Sequence, residues 1–129
     1  MYAVTIDDRN ESGVLALDLK DVLKALGARV SQSRWTIADV EAIGGAAADA
    51  LMGYPDQSLA LNGKELLELA EGVDQIVNGR FAAFTGNSER PWVTVFAVDS
   101  SAFDVVAEDE EVLDGIWVAF NDVEVIPAS

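Results

Sequence analysis

From Pro91 to Ser129 the chain carries nine acidic side chains (Asp99, Asp104, Glu108, Asp109, Glu110, Glu111, Asp114, Asp122 and Glu124) and no Lys or Arg. A carboxylate without a partner is too costly to bury, so these nine must sit at turns, helix starts or the surface. The apolar residues between them must then form the inside, and they do so with two different periods. Trp92–Val98 is a continuous apolar run that reads as a central strand covered on both faces, with Pro91 at its start, where a missing amide donor does least harm. Asp99-Ser100-Ser101 reads as a turn, and Phe103 and Val105 flank an outward Asp104 in a second strand. From Asp109 to Phe120 the residues Val112, Leu113, Ile116, Trp117 and Phe120 share one helical face, which assigns Trp117 to the core. Val123 and Val125 suit a short final strand.

The first ninety residues follow the same two periods. Tyr2, Val4 and Ile6 alternate in a strand ending at Asp7-Asp8. Extended chain to about Leu17 gives way to a helix from Leu19, with Leu19, Val22, Leu23 and Leu26 on one face. Asp18 is its expected N-cap, Asp21 the capping-box acid and Gly27 the residue just past its end. Trp35, Ile37 and Val40 suggest a strand in which Asp39 and Glu41 both point outward only if a bulge intervenes. The Ala-rich segment between Gly44-Gly45 and Gly53 reads as a helix, Tyr54–Gln57 as a turn, and Leu59 and Leu61 as a short strand. Asn62 then caps a helix bearing Leu66, Leu67, Ala70 and Val73. Two extended segments, Gln75–Val77 and Arg80–Phe84, are separated by Asn78-Gly79, which suits either a hairpin turn or a bulge within one longer strand.

These elements predict a single α+β domain over residues 1–129, a mostly antiparallel small sheet packed against three to four helices. Half of the 129 residues are hydrophobic, enough for a core despite a net charge of −15. The second face of the sheet needs a cover, for which a second copy of the chain is one candidate, so a homodimer is an open expectation. The start, MYAVTIDDRNES, has no basic region followed by an apolar run, and no span of 18 apolar residues occurs, which predicts a cytoplasmic protein with no membrane contact.

There is no His and no Cys, which excludes Ser-His-Asp and Cys-His nucleophiles within the chain and leaves only carboxylates as strong metal ligands. Phosphate-loop and dinucleotide glycine patterns are missing, and the sequence implies no cofactor and no catalytic residue. Asp7, Asp8 and Asp99 end strands and are the candidates for a hard-cation site, or for a carboxylate-based hydrolase. The competing reading is that such aspartates close turns on nearby amides. Glu108–Glu111 lacks the ligand spacing of a calcium loop and suits the start of a helix, where acids meet free amides. The excess of negative charge opposes nucleic-acid binding and favours a basic protein partner. Glu108, Glu110, Glu111 and Asp114 are the candidate contacts for that partner, with Trp92, at a strand entrance, as the exposed aromatic. Arg80 and Arg90 are assigned to the surface.

The segments NGKELLELAEGV, NGRF, PWVTVFAVDSS and DEEVLDGIWVAF, within about Trp35 to Val123, resemble small uncharacterised bacterial domains of a kind frequent in cyanobacteria. That resemblance implies no function and no site residues. By charge and size the chain also resembles immunity and inhibitor proteins. The expectation is therefore a noncatalytic acidic interaction or regulatory protein, with a small metal-binding protein or hydrolase as the alternative.

Overall fold

Which side of the sheet is buried follows from the alternation of side chains along its strands. The structure, a computed structural model, describes residues 1–54 and 61–127. Its strands are β1 (Tyr2–Ile6), β2 (Arg34–Ile43), β3 (Leu61–Asn62), β4 (Gln75–Phe84), β5 (Val93–Val98), β6 (Ala102–Ala107) and β7 (Val123–Ile126). Among the described residues they form one sheet in the order β3-β2-β4-β5-β6-β1-β7, with every neighbouring pair antiparallel. The helices are α1 (Leu19–Leu26), α2 (Gly45–Gly53), α3 (Gly63–Gly72) and α4 (Asp114–Ala119), with 3₁₀ turns at Ala28–Val30 and Glu110–Leu113. The α+β expectation holds. Of the expected turn at Tyr54–Gln57 only Tyr54 is described, and Leu59 lies outside the described residues.

Val4, Ile6, Trp35, Ile37, Phe81, Val95, Phe103 and Val105 point to one face and join Leu19, Leu23, Leu51, Leu66 and Ile116 from the helices in one buried cluster. Each such side chain contributes roughly 1.5–3 kcal/mol by leaving water. The opposite face carries Thr36, Ala82, Thr94, Phe96, Asp104 and Val106, none of which belongs to that cluster. This corrects the reading of β5 as a strand covered on both sides. All four helices lie on the cluster side, so Thr94 and Phe96 stay half-exposed.

Local chemistry explains the irregular points. The pairing of β2 with β4 slips between Ala38 and Glu41, and Asp39 there has φ 56°. That bulge is what turns both Asp39 and Glu41 outward. Asn78-Gly79 runs inside β4 rather than forming a turn. A side chain at Gly79 would meet the Phe81 ring at 2.7 Å, so glycine makes room for the aromatic. Asp99 and Ser100, with φ of 51° and 58°, sit at the centre of the β5–β6 turn, and Ser101 N–H donates to the Val98 carbonyl at 2.8 Å. Two positive φ values in succession define a type I′ turn, whose twist suits the hairpin.

Asp18 begins α1 as expected. Its carboxylate accepts from Leu19 N–H at 2.8 Å, while Asp21 accepts from Asp18 N–H at 2.9 Å. Ile76 N–H, at the start of β4, also donates to Asp18 at 3.2 Å, so the cap ties helix to sheet. Burial holds the Asp18 carboxyl above its ordinary value of 3.8, and the Leu19 and Ile76 amides pull in the other direction. The native state therefore binds this proton more tightly than the unfolded chain does. Asp18's favourable contribution is full below 3.8 and is lost as pH rises through the raised native value. Asp18→Asn cannot ionise but still accepts both amides. It is expected to gain on the wild type between pH 3 and 7 and to match it at the acid end (urea denaturation across that range). Asp18→Ala loses the cap and is expected to cost about 1 kcal/mol at pH 7.

Candidate functional site

The first strand, the last strand and the last helix meet at one end of the molecule. Val4 pairs with Val125 and Ala3 with Ile126, so β7 closes one edge of the sheet beside β1. The 3₁₀ turn Glu110–Leu113 leads into α4 and brings it over the start of β1. Between them lies an apolar groove of about 210 Å³, whose lining includes Met1, Tyr2, Leu113, Trp117 and Val125, with Glu110 on its rim. Several of these side chains are open to solvent: Met1 is 81% exposed, Tyr2 45%, Trp117 46% and Val125 69%. Val118, next on α4, is 89% exposed. No other part of the described surface combines so many large exposed apolar residues in one groove.

Trp117 was expected in the core, and the structure corrects this. A 3₁₀ turn advances by about 120° per residue and an α-helix by about 100°, so the single helical stripe from Val112 to Phe120 breaks at the junction. Leu113 and Ile116 are buried, and Trp117, one residue on, turns outward. Gly115 fixes this rotation, because a Cβ there would lie 2.0 Å from the Ala25 carbonyl oxygen of α1.

Trp92 is the converse correction. It is only 3% exposed, so it is no anchor for a partner. Its indole N–H donates to Ser33 Oγ at 2.8 Å, and Ser33 Oγ donates to the Arg29 carbonyl at 2.7 Å. The Arg29 guanidinium lies 4.4 Å from the centre of the Trp92 ring. The entrance to β5 is therefore sealed by the segment after α1, which sequence spacing did not reveal. Trp92 holds that segment in place.

The acidic candidates fall where expected, on the outside. Glu108, Glu110, Glu111 and Asp114 are all exposed, and none forms an ion pair among the described residues. Glu108 N–H donates to the Trp92 carbonyl at 3.1 Å, which fixes the exit from β6. Glu110 reaches the groove, and Glu111 and Asp114 continue from it into α4. Glu124, from the same base-free segment, is exposed on β7.

Asp7, Asp8 and Asp99 are not brought together. Asp8 accepts the Asn121 and Asp122 amides, the former at 3.0 Å, and so shapes the approach to β7. Asp7 pairs in charge with Arg9 at 2.8 Å, and the Asp99 amide donates to Asn78 Oδ1 at 2.9 Å. Among the described residues no three His, Cys, Asp or Glu side chains are placed to hold one ion. These aspartates serve turns and strand ends.

The groove can accept an apolar side chain, and its rim can meet a cation; it offers no pair of groups placed for acid–base chemistry. Among the described residues no helix is long and apolar enough to cross a membrane. No protein-family model matches the chain, and neither a curated protein nor a solved structure matches it.

Proposed function

We propose that this is a noncatalytic acidic protein of the cytoplasm that binds a basic protein surface, in the manner of an immunity or inhibitor protein, through the groove between α4 and the β1–β7 edge. The observation that carries this is Trp117, half exposed beside Met1, Tyr2 and Val125 in a groove rimmed by Glu110. Aromatic anchors in a pocket supply most of the affinity of such interfaces. Nine acids without a base in the same third of the chain supply long-range attraction and exclude acidic competitors, nucleic acid among them. A Lys or Arg from the partner would meet Glu110, Glu111 and Asp114, and an Arg could also lie on the Trp117 ring.

The test starts from a partner captured from the native cell and purified. Trp117→Ala is expected to weaken its binding about thirtyfold, the loss of roughly 2 kcal/mol, chiefly by faster dissociation. Glu110→Lys with Glu111→Lys is expected to slow association, more so at low salt. Binding that is indifferent to both changes, or failure to capture any basic protein, would count against the reading.

A further inference from the structure

The open face of the sheet carries a charge pattern that the groove does not use. One row of paired residues crosses it from β2 to β7: Ala38, Arg80, Phe96, Asp104, Thr5 and Glu124. The next row is Thr36, Ala82, Thr94, Val106 and Ala3. Arg80 and Asp104 thus flank Phe96 from the two strands on either side of β5. Neither forms an ion pair within the chain among the described residues. The side chains between are small or apolar, and Arg90, Pro91 and Glu108 rim a shallow hollow over Thr94 and Phe96 at one end of the face.

We propose that this face binds a second copy of the chain, through a twofold axis that runs parallel to β5 and passes over Phe96. A rotation about that axis sends each strand to the opposite side of β5. Arg80 of each copy then faces Asp104 of the other, and Phe96 meets Phe96. In the next row Ala82 faces Val106 and Thr94 faces Thr94. Self-complementarity of this kind is what a twofold interface requires. Sheets that pack face to face keep their strands within about 30° of each other, as this axis does.

The size of the contact sets its strength. Five strands about 4.8 Å apart and some 20 Å of length cover roughly 500 Å² on each copy, close to the lower limit for specific association. The dimer is therefore weak and concentration-dependent. At about 0.15 M salt the rest of the −15 charge is screened beyond some 8 Å, while charges in contact are not. The inference stands apart from the groove: Trp117 and Val125 line the groove but not the open face, which Met1 also borders.

Sedimentation of the full chain from about 10 μM to 1 mM tests it, with dissociation expected within that range. Arg80→Glu and Asp104→Arg are each expected to weaken association about tenfold or more, and the double variant to recover most of it. Thr94→Lys sets two ammonium groups against each other on the axis, at a half-exposed strand position that tolerates change, and is expected to abolish the dimer. Unfolding midpoints near the wild-type value separate these effects from loss of the fold. A wild-type chain that stays monomeric throughout, leaving the face to another ligand, overturns the proposal. So does association equally strong in Arg80→Glu and Thr94→Lys, or a double variant that recovers nothing.

Discussion

Gly63→Ala is expected to lower the unfolding free energy by about 3 kcal/mol or more, beyond the usual range for one added methyl group in a packed site. A Cβ at Gly63 would stand 1.8 Å from the Val30 carbonyl oxygen and 2.7 Å from the Ser31 Cα. Both obstacles are backbone, so no side-chain rotation relieves them. Gly63 N–H also donates to the Ser33 carbonyl at 3.0 Å, which fixes the start of α3 against the turn that follows α1. Moving α3 away breaks that bond and loosens Leu66, which is fully buried. For a domain of this size the loss corresponds to a fall of roughly 10 °C in Tm, measurable by calorimetry. Gly53→Ala is the control, since a Cβ there meets nothing within 4 Å. An unchanged midpoint in Gly63→Ala would show that α3 can shift freely, and the account of this contact would fail.

Much of the fold is legible in the sequence, because strand alternation and helix capping are local. Val4 and Ile6, Phe103 and Val105, and the cap formed by Asp18 and Asp21 all follow from residues within one element. Even the bulge at Asp39 is foreshadowed, since Asp39 and Glu41, two and four residues on from the inward Ile37, share its side in a regular strand and reach water only if the register slips. Periodicity does not tell which face a helix covers. The run Trp92–Val98 looks the same whether one or both sides are covered, and only the placement of all four helices on one side decides it. Alternation also hides the cross-sheet rows. Arg80 and Asp104 are 24 positions apart, and register alone sets them on either side of Phe96.

The candidate site is half legible for a similar reason. That Glu108, Glu110, Glu111 and Asp114 are solvent-facing follows from charge and the absence of any base. The aromatic beside them does not follow. Trp117 fits the helical stripe of Val112 and Ile116 unless the first turn is 3₁₀, and the close approach of Gly115 to α1, which leaves no room for a Cβ, is a tertiary fact. Trp92 looks like a strand-entrance residue until Ser33 and Arg29, about sixty positions earlier, are seen to enclose it. The groove itself joins Tyr2 to Val125, the two ends of the described chain, so no window along the sequence contains it.

Trp35→Ala is expected to be the most damaging single truncation, at about 3–5 kcal/mol. Trp35 is wholly buried and is among the largest side chains of the core. It lies opposite Leu61 of β3 and Ala83 of β4, so its removal opens a cavity between the sheet edge and its centre. The indole also donates Nε1–H to the Val30 carbonyl at 3.1 Å, the same oxygen that Gly63 abuts. Trp35→Phe separates the two contributions. It keeps most of the apolar volume and leaves the Val30 carbonyl without its indole donor, an expected cost of about 1–3 kcal/mol. Urea denaturation of the three proteins orders them as wild type, Phe and Ala. If Phe proves as damaging as Ala, the hydrogen bond to the turn outweighs the packing; if Phe matches the wild type, the turn at Ala28–Val30 is held without the Trp35 indole, by contacts that include Ser33 and Trp92. That second outcome would place the anchor of this corner on β5 rather than β2. Ser33→Ala would then become the more disruptive change, because it strips the buried Trp92 indole of its acceptor.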